Sequence, residues 1–300
     1  MTAASVPIQL RQQDTLWTGH FTAMACPCEV LIETTDKTLA HYITQQVWQE
    51  AERIEKKFSR YINNNIIFNI NNAHGNTVTV DAETAHLLDF AAQCYDLTDH
   101  KFDITSGVLR RVWKFDGSDR LPSPAQIDDI KPLIGWSRVS WHHSQLTLLP
   151  GMEIDLGGLG KEYAVDQAAK IVKKLTDLSL LINFGGDIYA SKARMNNKPW
   201  LIGVDNPHHT GTQSVGKIEL YQGGLTTSGD ARKFLMKDGT RYSHILDPLT
   251  GWPVPDAPHS VTVVADTCLE AGMLSTFAML NGKDAEQFLK AQQIKYWCIR

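Results

Sequence analysis

The sequence predicts an α+β fold, a single domain of mixed sheets with flanking helices. Strands and helices are interleaved without a regular strand–helix–strand period, which argues against a doubly wound parallel sheet. No internal repeat and no low-complexity linker divides the 300 residues, a length that one large domain can fill. The 43% hydrophobic and 21% charged content is that of an ordinary globular enzyme.

Residues 1–20 read as an N-terminal extension and 21–300 as the domain. A strand is expected over 21–32, with Val30 and Ile32 on one face and Glu29 and Leu31 on the other. A helix over 38–58 follows, its apolar residues Ile43, Val47, Ala51, Ile54 and Phe58 spaced by three and four. Residues 63–76, rich in Asn, read as an irregular surface stretch. The next helix, over 82–98, carries Ala85, Leu88, Ala92 and Tyr95 on one face. Residues 122–132 suit a loop and a short helix.

MEIDLGGLG then leads into a helix over 161–175, with Ala164, Ala168, Ile171 and Leu175 in register. SLLINFGGDIYA reads as two strands interrupted by Gly185-Gly186. WLIGVDNP is a strand ending in a turn, and KIELYQGGLTTSGD a strand entering a polar loop. SVTVVA alternates as a strand does and feeds a helix at Cys268–Leu280. A helix at Ala285–Ala291 and a strand over 296–299 close the chain.

Lys plus Arg number 29 against 33 Asp plus Glu, a net charge of −4. That balance gives no electrostatic reason to expect nucleic acid or an anionic membrane as partner. No apolar run reaches the roughly 20 residues of a membrane span. The start lacks a basic region followed by an apolar stretch, so a cytoplasmic location is expected. The five cysteines (Cys26, Cys28, Cys94, Cys268 and Cys298) are scattered, which suits a reducing compartment. Cys26 and Cys28 share a strand face and read as packing thiols rather than a metal or redox pair.

IDLGGLGKEY is not a Walker A loop, because Asp155 stands where its first glycine belongs and Glu162 follows the lysine. Glycines before a helix N-terminus nevertheless expose N–H groups to an anion, and Lys161 adds a cation. A tight turn with a surface lysine is the other reading. In YSHILDPLTGWPV, His244 precedes Asp247-Pro248 by three residues; an imidazole there suits proton transfer, or a purely structural role. Thr227, Ser228 and Asp230 supply hydroxyls and a carboxylate, or simply a turn. In FDITSGVLRRVWKF, Phe102 and Trp113 could stack on an aromatic ligand beside Asp103 and Thr105, or be buried aromatics with a capping Asp.

Taken together, FTAMACPCEV, FSRYINNNIIFNIN, FDITSGVLRRVWKF, IDLGGLGKEYAVD, LINFGGDI, TTSGDARKF, HILDPLTGWPV and SVTVVADTCLEAGMLST resemble, in order, the FAD:protein FMN transferase (ApbE) family. The resemblance implies an enzyme that cleaves FAD and joins FMN to a Ser or Thr hydroxyl of an acceptor flavoprotein, releasing AMP with Mg²⁺ assisting. It implies that Met24 and Tyr61 line the FAD pocket and that Phe102, Asp103 and Ile104 contact the isoalloxazine or ribityl region. Asp155 and Lys161 would hold the adenosine or phosphate side, Gly185, Gly186 and Asp187 the floor, and His244 would act at the transfer step.

The family usually carries an Asp four residues before a Thr on the helix after the VTV strand, as metal ligands. Here Thr276 is present, but the Asp position is Gly272. The expected metal set is therefore a carbonyl near Gly158, Thr276 and the FAD phosphates, and a Gly272→Asp change is expected to strengthen Mg²⁺ dependence. Met24-Ala25-Cys26 and Lys161-Glu162 also depart from the family's Met-Gly-Thr and Lys-Gly. Two other readings are an FAD-binding carrier without chemistry and an FAD pyrophosphatase giving FMN and AMP.

Overall fold

The computed structural model describes residues 8–205, 214–230 and 234–300. It opens with strands β1 (Gln9–Gln13), β2 (Leu16–Ala23) and β3 (Cys26–Glu33), then helix α1 (Lys37–Phe58). Next come α2 (Ile66–Asn71), β4 (Val78–Thr79), α3 (Ala82–Leu97) and a 3₁₀ segment over Ile104–Arg111. Helix α4 (Pro124–Ile130) precedes the short strands β5 (Ser140–His142) and β6 (Gln145–Thr147). The second half runs α5 (Gly160–Leu175), β7 (Leu180–Phe184), β8 (Asp187–Ala190), β9 (Trp200–Asp205), β10 (Ser214–Leu220) and β11 (Gly223–Gly229). It ends with β12 (Phe234–Lys237), β13 (Thr240–Ser243), β14 (Ser260–Ala265), α6 (Cys268–Leu280), α7 (Ala285–Ala291) and β15 (Lys295–Ile299).

The main sheet has eight strands in the order β1-β2-β3-β7-β8-β11-β14-β15. All its pairings are antiparallel. Alternation along each strand decides what covers each face. Val30, Ile32, Ile182 and Phe184 turn toward Ile43 and Val47 of α1 and Val165 and Ala168 of α5, all fully buried. Val261 and Val263 meet Ala271 and Ala278 of α6 on the same side. The opposite face buries Leu181, Ile188 and Leu225 beneath Trp200, Ile218 and Leu220 of the β9–β10 hairpin. Each such buried side chain contributes about 1.5–3 kcal/mol.

The α+β class and the helices read from periodicity form as expected, α1 and α5 beginning a residue earlier. Four local readings are corrected. The strand expected over 21–32 is a hairpin, broken at Met24-Ala25 and pairing Ala23 with Cys26. Part of the supposed extension belongs to the sheet, since β1 and β2 pair from Gln9 to His20. The Asn-rich stretch contains α2, capped by Asn65, whose Oδ1 accepts from Phe68 N–H at 2.8 Å. The polar loop at TTSG is strand β11, flanked by β8 and β14. The turn expected at 206–207 and residues 231–233 of TTSGDARKF lie outside the described residues.

Candidate active site at the α5–α6 end of the sheet

Two tight turns and the start of α5 converge on one end of the main sheet, where α5 meets α6 at Gly272. The β2–β3 connection, Met24-Ala25, has φ of 53° and 57°, a hairpin geometry that ordinarily takes Asn or Gly. Left-handed backbone costs a residue with a side chain about 1–2 kcal/mol. The turn is tied down from α1, where Glu55 Oε2 accepts from Met24 N–H at 2.8 Å. The β7–β8 turn is Gly185-Gly186, with φ of 61° and 105°. A Cβ at position 185 would stand 2.8 Å from Cys26 Cβ, so the two turns approach this closely only because a glycine is there.

Helix α5 starts beside these turns with no side-chain cap. Lys161 in its first turn reaches the buried Asp187 that opens β8, Nζ to Oδ2 at 2.5 Å. Burial pulls the Lys161 ammonium down, but Asp187 and Glu162 outweigh it and hold it above its ordinary value. Burial raises the Asp187 carboxyl while Lys161 opposes the rise. Asp166, one turn along α5, caps α6 by accepting from Cys268 and Leu269 N–H, each at 2.9 Å.

Glu162 points into the protein. Burial, reinforced by the charge of Asp187, pushes its carboxyl up to about 8, and its Oε2 is buried with no hydrogen-bond partner. It lies against α6 at Gly272, where a Cβ would come within 2.6 Å of Glu162 Cγ and 3.0 Å of Oε1. Position 272 thus has no ligating side chain and no room for one, and its carbonyl accepts from the Ser275 hydroxyl at 3.0 Å. The expected gain from Gly272→Asp is corrected on that ground: Glu162 already fills the space.

One turn beyond Gly272, Thr276 Oγ1 lies 3.1 Å from Ser228 Oγ of β11, which also lies 2.8 Å from Ser275 Oγ. Thr227 faces the other way, toward Thr262 at 2.8 Å. Phe102 links this region to the loop before α5: it packs edge-on to Phe277, centroids 5.9 Å apart, and a Cβ at Gly158 would lie 3.6 Å from its ring.

A second zone gathers around Asp155. Its carboxylate pairs with Arg60 and accepts from Gly157 N–H at 2.9 Å. Arg60 donates to the Tyr61 hydroxyl at 2.6 Å and stacks on its ring, and Tyr61 is 80% exposed. Both belong to a groove of ≈ 480 Å³ whose wall includes Arg110, Arg111, Lys114 and Phe115. His244, just after β13, meets Phe115 edge-on at 6.1 Å, which places it at the border of this basic groove. The Trp113 indole N–H donates to Gly251 carbonyl at 2.9 Å, fixing the DPLTGW turn beside it.

The structure therefore brings Met24, Lys161, Gly185, Gly186, Asp187 and Gly272 to one cluster, and Tyr61 to the groove, with Asp155 paired to its Arg60 and His244 against its Phe115. The FDI segment packs inward. Asp103 is 6% exposed and both its oxygens are occupied, Oδ1 by the Thr105 N–H and hydroxyl at 2.7 Å and Oδ2 by Trp136 N–H at 3.0 Å. Its side chain is a cap, and Ile104 is core. The residues that the sequence reading passed over are Arg60, Arg110 and Glu162. The signal for Glu162 was a carboxylate and a helix-interior glycine appearing together at 162 and 272. Among the described residues no group of three or more His, Cys, Asp or Glu could hold a metal ion.

A profile described as the ApbE family matches residues 24–298. A FAD:protein FMN transferase of Haemophilus influenzae is 29% identical over 256 residues, covering 80% of this chain and 74% of that protein. One of Salmonella typhimurium is 32% identical over 199 residues, 63% of this chain and 57% of that protein. The crystal structure of the ApbE protein of Thermotoga maritima superposes with a TM-score of 0.84 at 29% identity, covering 94% of each chain.

Proposed function

The chain belongs to the ApbE family, and from that membership we propose that it transfers FMN from FAD to a Ser or Thr hydroxyl of an acceptor flavoprotein, releasing AMP. The observation that carries the reading is a family match spanning residues 24–298, nearly the whole chain. In the transfer, the acceptor oxygen forms a bond to the flavin-side phosphorus as the bond to AMP breaks, and AMP leaves with the electron pair. The hydroxyl proton passes to an imidazole nitrogen of His244, a side chain type suited to proton transfer. Lys161, held charged and oriented by Asp187, is a point charge for the diphosphate, beside the uncapped start of α5. Tyr61 and the arginines of the groove suit the aromatic and anionic parts of a dinucleotide.

Mg²⁺ is part of this reading. The residues present fit a hard cation, which prefers oxygen: a buried carboxylate oxygen without a partner lies beside Gly272, and the Thr276 hydroxyl is one turn away. Thr276 and the Gly158 carbonyl would hold the ion together with FAD phosphates. When bound it neutralises charge developing on the phosphate oxygens. A cytoplasmic setting also belongs to the reading, supported by five free cysteines. Among the described residues no helix is long and apolar enough to cross a membrane.

The test is incubation with FAD, Mg²⁺ and candidate acceptors. Transfer yields a denaturation-resistant fluorescent acceptor, an FMN adduct on Ser or Thr by mass spectrometry, and free AMP. AMP without a labelled acceptor would replace the reading with hydrolysis of FAD. Tight FAD binding that EDTA leaves unchanged, with no AMP, would replace it with a carrier.

A further inference from the structure

We propose that Glu162 supplies the carboxylate that ligates the divalent cation, reaching from the first turn of α5 into the space that a side chain at position 272 would occupy. The inference rests on the transferase reading for the ion's role, but its structural grounds are separate. Each neighbouring carboxylate is already employed: Asp187 pairs with Lys161, and both Asp166 oxygens cap α6. Glu162 is 9% exposed, and its Oε2 is buried with no partner. An uncompensated carboxylate oxygen in such a place is costly, and a hard cation satisfies it without any proton donor.

The second ground is steric complementarity across the α5–α6 contact. The Glu162 side chain occupies the position of a Cβ at 272, within 2.6 Å at Cγ and 3.0 Å at Oε1. A carboxylate can thus stand on either helix at this point, but not on both. Hydroxyl oxygens of Thr276 and Ser228 lie one turn further along the same helix–strand contact. The carboxylate has moved to α5, and the glycine on α6 is what makes room for it.

The experiment is titration of the purified chain with Mn²⁺, alone and with FAD, read by electron paramagnetic resonance. Folding of each variant is checked by circular dichroism and thermal unfolding. Glu162→Gln, nearly isosteric, should weaken Mn²⁺ binding at least about tenfold, the low end of what altering a metal site costs. Glu162→Gly should weaken it similarly, and Glu162→Gly with Gly272→Asp should regain much of the loss by returning the carboxylate from α6. Should both single variants bind Mn²⁺ as tightly as the parent, the assignment is overturned, even if they lose transfer; Glu162 would then serve the chemistry some other way. That result leaves the transferase reading standing, since AMP release and acceptor labelling by the parent decide it. A parent that binds Mn²⁺ through Glu162 but never labels an acceptor overturns the transferase reading and supports the ligand assignment.

Discussion

Gly272→Asp tests the packing of the site through stability rather than activity. Its Cβ would sit 2.6 Å from Glu162 Cγ, against the 3.5–4.0 Å of ordinary carbon contact, so Glu162 must be displaced from a buried position. Overpacking of this kind costs about 1–3 kcal/mol. A third carboxylate beside Glu162 and Asp187 adds like-charge repulsion and desolvation, on the order of 1–2 kcal/mol more. Leaving a helical glycine returns only about 0.3 kcal/mol. The variant should therefore lose about 2–5 kcal/mol in EDTA, and adding Glu162→Gly should recover at least about 1 kcal/mol as coupling between touching residues. Urea unfolding followed by tryptophan fluorescence measures this through the transition midpoint at unchanged slope. A single variant with the parent's midpoint, or a double variant no better than the single, would show that Glu162 does not occupy the space at 272.

Three further outcomes are expected. His244→Ala should lower FMN transfer by about 10²–10⁴-fold, as loss of a proton acceptor does, while FAD still binds; equilibrium titration beside a transfer assay separates the two. Glu83 is held at about 2 by Arg53 first, with Lys57 and Tyr163 adding hydrogen bonds. A depressed carboxyl stabilises the fold above its unfolded value of 4.5 and loses that share as pH falls toward 2. Glu83→Gln should therefore cost about 1 kcal/mol at pH 7, discounted for partial exposure, and flatten the acid limb of stability against pH. Replacing Met24-Ala25 by Asn-Gly should raise the stability of the β2–β3 hairpin by about 1–2 kcal/mol, because both positions have positive φ; an unchanged melting temperature would contradict it.

Long periodic elements were legible because their signal is local. The stripe from Ile43 to Phe58 can be buried only as one helix face, and SVTVVA reads as a strand because successive side chains of a strand point to opposite faces of the sheet. The hairpin at Met24-Ala25 carries no Asn or Gly to announce it, and its left-handed backbone is held by Glu55 from a helix some thirty residues on. Likewise TTSG has the composition of a turn, and becomes a strand only because β14 pairs with it along its whole length. Asp103 shows the converse: a polar residue in a suggestive motif is consumed by Thr105 and Trp136.

By itself the sequence determined the α+β class, the principal helices and the family, since each depends on spacing along the chain or on the order of motifs. Only tertiary structure decided which polar groups have partners. Lys161 and Asp187 are 26 residues apart and Glu162 and Gly272 more than a hundred, and neither pair is visible to any local pattern. Whether a carboxylate is a cap, half of an ion pair or left without a partner is set by what the fold packs against it, because burial removes the water that would otherwise satisfy it.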